Sequence, residues 1–123
     1  MCSQKTYIAI TVYHEARGES IDGQVAVAHV ILNRAQKKRS TPKEIIFAPR
    51  QFSCFNNNSR PSIKDYNAFA IAMEAVERCM DERMRGMTLH ESDHYFNSSI
   101  VTPSWSKSMK HICDIGHHSF YRS

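Results

Sequence analysis

TYIAITVYHEARGESIDGQVAVAHVILNRAQKK, residues 6–38, holds two long apolar runs separated by a glycine. In the first, Tyr7, Ile8, Ala9, Ile10, Val12 and Tyr13 leave little room for a solvated face, so 6–17 reads as a buried helix. Gly18 supplies a left-handed stop. Ser20 can cap a second helix, and Asp22 falls in its first turn, where a negative charge suits the helix dipole. That helix runs from Ile21 to about Lys38, with Val27, Ala28, Ile31 and Ala35 on one face and apolar residues over most of its circumference. Two buried helices joined by a short turn make a rigid frame. Ile8, Val12 and Glu15 are spaced i, i+4 and i+7, so a carboxyl continues an apolar stripe where the first helix runs out. A carboxyl at the edge of a hydrophobic core stays protonated to higher pH, because desolvation penalises its ionised form.

Further along, Thr41-Pro42-Lys43-Glu44 has a capping threonine, proline at the first helical position and glutamate at the third, which predicts a short helix through Phe47. Residues 49–62, with Pro49, Asn56-Asn57-Asn58 and Pro61, read as an extended surface loop. Ser62 is the expected cap of a further helix to about Arg85, with Phe69, Met73, Val76 and Met80 at helical spacing as core packing and Gly86 as the stop. After Gly86, His94-Tyr95-Phe96 and His118-Ser119-Phe120-Tyr121 are separated by Pro103 and Gly116, a pattern of short strands or a ribbon.

The 123 residues fit one domain, 1–123, that can bury a core without staples. With 23% charged and 41% hydrophobic residues, neither disorder nor a membrane protein is indicated. No apolar run approaches the roughly 20 residues needed to span a bilayer. Met1-Cys2-Ser3-Gln4-Lys5 lacks the pattern of a secretory signal, so synthesis in the cytoplasm without an export signal of its own is expected. Cys2, Cys54, Cys79 and Cys113 contain no Cys-x-x-Cys pair and point to reduced thiols. The net charge of +4 permits attraction to a polyanion. Lys37-Lys38-Arg39, the densest basic cluster, lacks the interleaved aromatics of a single-strand binding surface, and no nucleic-acid partner is expected. A monomer is favoured.

A protonated Glu15 can act as a general acid. Glu19 is the candidate second carboxylate, set against a structural role near a helix start; Asp22, Glu91 and Asp93 are weaker candidates. Arg17 is expected to pair with Glu19 or Asp22. His90-Glu91-Ser92-Asp93-His94 fits the His-Glu-x-x-His pattern of zinc peptidases, in which histidines four apart share one face of a helix. Gly86 and Ser92-Asp93 argue against a helix there, and no metal is expected. Tyr95 and Trp105 are candidates to stack on sugar faces, and Asn97 and His118 to hydrogen-bond N-acetyl and hydroxyl groups.

Residues 13–20 (YHEARGES), 23–28 (GQVAVA) and 30–34 (VILNR) together resemble the opening of the spore cortex-lytic, SleB-type cell-wall hydrolases. Gln51-Phe52-Ser53-Cys54 is similar to that family's Phe-Ser-Cys loop and His94-Tyr95 to its His-Tyr segment. Pro103-Ser104-Trp105, then Ile115-Gly116, His118, Phe120, Tyr121 and Arg122, resemble its closing motif. The resemblance implies an α+β, predominantly α-helical, lysozyme or lytic-transglycosylase-like fold with a small β ribbon near the C-terminus. It implies cleavage of peptidoglycan glycan strands without a cofactor, by transglycosylation or as a muramidase, with the family's catalytic glutamate on Glu15. It also places Ser53, Tyr95, Trp105 and His118 among candidate substrate contacts. Where the family often has a second histidine after the tyrosine, this chain has Phe96. A cell-wall enzyme without an export signal would fit a phage lysis protein, a virion-carried hydrolase or a truncated domain of an exported protein. The readings of other class are the zinc peptidase and a non-catalytic module binding cell wall or nucleic acid.

Overall fold

The computed structural model describes residues 3–48, 63–86 and 91–123. Four helices lead into a small antiparallel sheet: α1 (Gln4–Ala16), α2 (Ile21–Lys38), α3 (Pro42–Phe47) and α4 (Tyr66–Met84), then β1 (His94–Asn97), β2 (Lys110–Ile115) and β3 (His118–Arg122), with a 3-10 turn at Ser104–Lys107. The expectation of a mainly helical chain with a C-terminal ribbon holds. No helix among the described residues is long and apolar enough to cross a membrane.

Local chemistry sets the helix boundaries. Ser3 Oγ accepts from Thr6 N at the start of α1, and Ser20 Oγ accepts from Gly23 N at the start of α2. Between them Gly18 takes φ +92°, a conformation that L side chains rarely adopt. Thr41 and Glu44 form the expected reciprocal capping box, with Pro42 opening α3. Helix α4 corrects the expected start at Ser62, which lies outside the described residues. Asp65 Oδ1 caps by accepting from Ala68 N, and the backbone before the helix is turned onto Tyr13, whose hydroxyl accepts from Lys64 N and Asp65 N.

Every residue of α2 from Gly23 to Ile31 is buried. The buried stripe of α4 consists of Ala72, Ala75, Val76 and Cys79, small side chains that permit close approach, while Phe69, Met73 and Met80 pack around its margins. Burial pushes the Cys79 thiol up to about 12, which leaves it unreactive. Cys79 and Cys113 are free thiols, as expected; Cys2 and Cys54 lie outside the described residues.

A polar group crosses the α2–α4 interface at His29, which is fully buried. Its Nε2 lies 2.9 Å from Glu82 Oε1 and its Nδ1 3.2 Å from Arg83 Nη1. A guanidinium can only donate, so Nδ1 accepts, the proton sits on Nε2, and the ring is neutral. Burial, joined by the Arg83 charge, holds the imidazole below its ordinary value despite the opposing pull of Glu82.

The sheet order is β1-β3-β2, both pairings antiparallel, with β3 in the middle and an irregularity between His111 and Cys113. Strand β2 corrects the sequence reading, which found aromatic runs only for its two neighbours. On one face Tyr95 lies across from Phe120, which is completely buried. On the other, Phe96 stacks on Tyr121, and Trp105 folds over both.

Ile31→Ala is expected to cost about 2–5 kcal/mol, as a fully buried side chain is removed from the centre of the packing; denaturant unfolding checks it. A second expectation concerns pH. Because folding depresses the His29 pKa, its contribution to stability is complete above about pH 6.5 and is lost as pH falls and the unfolded chain takes up the proton first. His29→Gln should therefore show a shallower loss of stability between pH 7 and pH 5 than the parent chain in denaturant titrations.

Candidate active site

Glu15 sits in the last turn of α1, one side of which is anchored by the fully buried Ile8 and Val12. Its carboxyl is half-buried and hydrogen-bonded by the Tyr95 hydroxyl, with the Arg34 guanidinium within electrostatic reach. Burial pushes its pKa up; Tyr95 and Arg34 pull it down, but less strongly, and the carboxyl stays above the usual carboxylate range. A raised pKa extends the pH range over which such a carboxyl holds its proton.

The end of α2 brings Tyr95 to this place. Asn33 Nδ2 donates to Ser92 O at 2.8 Å and Arg34 Nε to Asp93 O at 2.6 Å, pinning the backbone just before β1. Asp93 is itself almost fully buried. Its carboxylate accepts from Lys37 Nζ (2.8 Å), Ser123 N (2.9 Å) and Ser123 Oγ (2.6 Å), and it pairs with His94 Nδ1 (3.0 Å). Burial alone would raise its pKa, but these partners together hold it far below the usual range. Asp93 is thus a fixed anion that organises the α2–β1 junction. Arg34 was not singled out for the site from sequence, although the NR pair that carries it belongs to the resemblance.

Glu19, four residues beyond Glu15, turns to the β2–β3 turn. Its Oε1 accepts from His117 N and its Oε2 pairs with His117 Nδ1, both at 2.8 Å. His118 Nδ1 lies 3.6 Å from Oε1. Burial would raise the Glu19 pKa, yet the His117 hydrogen bonds and the nearby imidazoles outweigh it, and the carboxyl sits below its ordinary value. Among the other proposed carboxylates, Asp22 is exposed, with Arg78 Nη1 at 3.8 Å, and Glu91 pairs with Arg122 at 3.1 Å. Arg17 departs from expectation: its guanidinium donates to the Tyr13 hydroxyl and lies over that ring, 4.8 Å from the centroid.

His118 is buried beside Tyr95, with ring centroids 5.2 Å apart in an edge contact. Asn97 ends β1 opposite His118, and its Oδ1 accepts from Ser99 N at 3.0 Å and from Ser99 Oγ. Trp105 is not brought to Glu15. It packs on His94, Phe96 and Tyr121, the sheet face opposite Tyr95, because successive strand residues point to opposite sides. Ser53 lies outside the described residues.

The zinc-peptidase pattern fails on geometry. Glu91 has φ +52°, and residues 92–93 lead directly into a strand that His94 opens, so no helical face gathers its histidines. His90 lies outside the described residues. Among the described residues, no group of three or more His, Cys, Asp or Glu could hold a metal ion.

Comparison with known proteins adds an independent line. The family model described as Cell Wall Hydrolase matches residues 18–121. The spore cortex-lytic enzyme of Bacillus cereus is 32% identical over 116 residues, covering 92% of this chain and 42% of that protein. The one from Oceanobacillus iheyensis is 35% identical over 118 residues, covering 92% and 39%. The chain thus spans about two-fifths of the length of these relatives. Among solved structures, the catalytic domain of the germination-specific lytic transglycosylase SleB from Bacillus anthracis superposes with a TM-score of 0.77 at 30% identity, covering 99% of this chain and 97% of that one. The Bacillus cereus SleB catalytic domain gives 0.71 at 31%, covering 99% and 93%. The match runs from the α1–α2 connection through the sheet, and the chain belongs to the cell wall hydrolase family.

Proposed function

We propose that residues 1–123 act as one catalytic domain that cleaves the muramoyl–glucosamine bonds of peptidoglycan glycan strands, with Glu15 as general acid and then base. The observation carrying this reading is the half-buried Glu15 carboxyl, its pKa raised by burial and its oxygen hydrogen-bonded by Tyr95. Cleavage requires a proton on the leaving glycosidic oxygen while positive charge develops at the anomeric carbon. Glu15 delivers that proton. Tyr95 and Arg34 then stabilise the carboxylate left behind, which prepares it to take a proton back.

Transglycosylation is favoured over hydrolysis by the state of the remaining acids. All twelve Asp and Glu residues of the chain fall within the described residues. None besides Glu15 itself contributes to the electrostatics of its carboxyl. Glu19 and Asp93 are occupied as above; Glu44 and Asp65 cap helices, and Glu82 holds His29. A hydrolase of either stereochemistry uses a second carboxylate, roughly 5–9.5 Å from the first. In the transglycosylase route no second carboxylate is needed, because the muramoyl C6 hydroxyl attacks the anomeric carbon. The C1–O bond to glucosamine breaks, the glucosamine leaves with the proton from Glu15, and the C6 hydroxyl proton passes to the Glu15 carboxylate. Atoms and charge balance without water, metal or cofactor. Tyr95 and His118 are proposed to contact the sugar nearest Glu15, with Asn97 and Ser53 at the margins; Trp105, on the far face of the sheet, has no part in that contact.

Glu15→Gln is expected to lower glycan cleavage by about 10²–10⁴-fold while melting like the parent, and an undiminished rate would exclude Glu15 as the acid. Mass spectrometry of the digest should show 1,6-anhydro-muramoyl ends. Reducing muramic acid ends would establish hydrolysis instead, and intact glycan with cut peptides would overturn both. Since kcat/KM requires protonated Glu15, it should fall as pH rises through that group's pKa. Tyr95→Phe removes a hydrogen bond that favours the carboxylate, so this basic limb should move to higher pH.

A further inference from the structure

Glu19 is held by partners 98 residues away in sequence, and the arrangement is more exacting than an incidental surface ion pair. Its side chain is 10% exposed. One carboxylate oxygen takes the backbone N–H of His117 and the other meets that residue's imidazole, so the group grips the β2–β3 turn at two points. The turn is shaped to receive it. Gly116 has φ +58°, and a Cβ added there would stand 2.7 Å from Glu19 Oε1, so the carboxylate fills the space a side chain would occupy. Gln24, buried on α2, fixes the other end by donating from Nε2 to Glu19 O at 3.1 Å.

The strand gripped in this way supports Tyr95. His118 follows His117 and opens β3; its buried Nδ1 has no hydrogen-bond partner and faces Glu19 Oε1 at 3.6 Å. Its ring meets Tyr95 edge-on, and Phe120, two residues further on, lies across the ladder from Tyr95 with centroids 5.9 Å apart. Tyr95 thus rests on two residues of the strand whose entry Glu19 holds, and its hydroxyl reaches Glu15.

We propose that Glu19 is a positioning residue: by clamping the His117–His118 turn to the α1–α2 connection, it fixes the sheet at the height where Tyr95 meets Glu15. This rests on the reading of Glu15 as the proton donor. It replaces the idea of Glu19 as a second catalytic carboxylate. One stretch of chain, residues 15–19, then carries both the acid and an anchor that registers the opposite wall against it, alongside the grip of α2 on the backbone before β1.

The test compares pH profiles of kcat/KM on purified peptidoglycan glycan strands for the parent, Glu19→Gln, Tyr95→Phe and the double variant. The groups that bear on the profile are Tyr95 and Arg34 around Glu15, and His117 and His118 around Glu19. Glu19→Gln should lose about 10–100-fold in rate, the scale of a small misplacement of a catalytic group. Its basic limb should shift upward in the same direction as that of Tyr95→Phe, and the double variant should shift no further than Tyr95→Phe alone. A Glu19→Gln limb that stays at the parent's pH while Tyr95→Phe moves it would overturn the proposal. So would rescue of Glu19→Ala by azide with formation of a glycosyl azide, the signature of a missing nucleophile. If Glu19→Gln does not fold, His117→Ala serves instead, because that side chain is 66% exposed and its loss removes one of the two grips. It should give a smaller shift of the same sign, and no shift would again be a refutation. Glu15→Gln separates the two readings: a fully active variant defeats the proton-donor assignment, whereas an inactive one with an unmoved Glu19→Gln limb defeats only the positioning role.

Discussion

Helix α2 has almost no side to turn to water, and its burial constrains everything around it. From Gly23 to Ile31 each residue is covered, so α1, α3 and α4 must pack around it. The polar side chains within that stretch have to find protein partners, because an unpaired buried polar group is costly. His29 does so by joining Glu82 and Arg83 of α4; Gln24 does so through Nε2, which reaches the backbone of the α1–α2 turn, while its buried Oε1 has no partner among the described residues. Toward its C-terminal end α2 emerges again, and there Asn33, Arg34 and Lys37 take hold of Ser92 and Asp93. The helix with the longest buried run therefore also helps to determine where the first strand begins.

Three partly or wholly buried carboxylates show how environment separates roles that the residue type does not. Burial pushes all three toward the protonated form. At Asp93 a ring of partners reverses the balance, and at Glu19 the His117 turn does the same. Glu15 has a phenol and a more distant guanidinium, which are insufficient, and it alone of the three ends above its ordinary pKa. Asp93, with four side-chain and backbone partners on its carboxylate, is the most firmly ionised of the three.

The helical part of this arrangement was legible because its signals are local. Ser20, Thr41, Pro42, Glu44 and Gly18 each act on backbone within a few residues, and α2 and α3 have the boundaries those residues announce. Helix α4 starts later than Ser62 would place it because the Tyr13 hydroxyl, some fifty residues away, captures the backbone amides ahead of Asp65. Strand β2 lacks the aromatic pattern of its neighbours and is defined by pairing with β3. The position of Glu15 on an apolar stripe was visible in sequence. The partners that tune it were not, for Tyr95 and Arg34 reach it only through tertiary folding. Trp105 reads as a sugar platform by residue type, but strand alternation places it with Phe96 and Tyr121.

The strand order has a consequence for when the site comes into being. Strand β3, the last element in the order of the chain, lies between β1 and β2, which have no ladder with each other. Until it is inserted, the first strand has no neighbour to pair with, and the hydroxyl that must meet the acid has no supporting wall. Without β3 the chain carries Glu15 on its helix but not the ladder that holds Tyr95 against it.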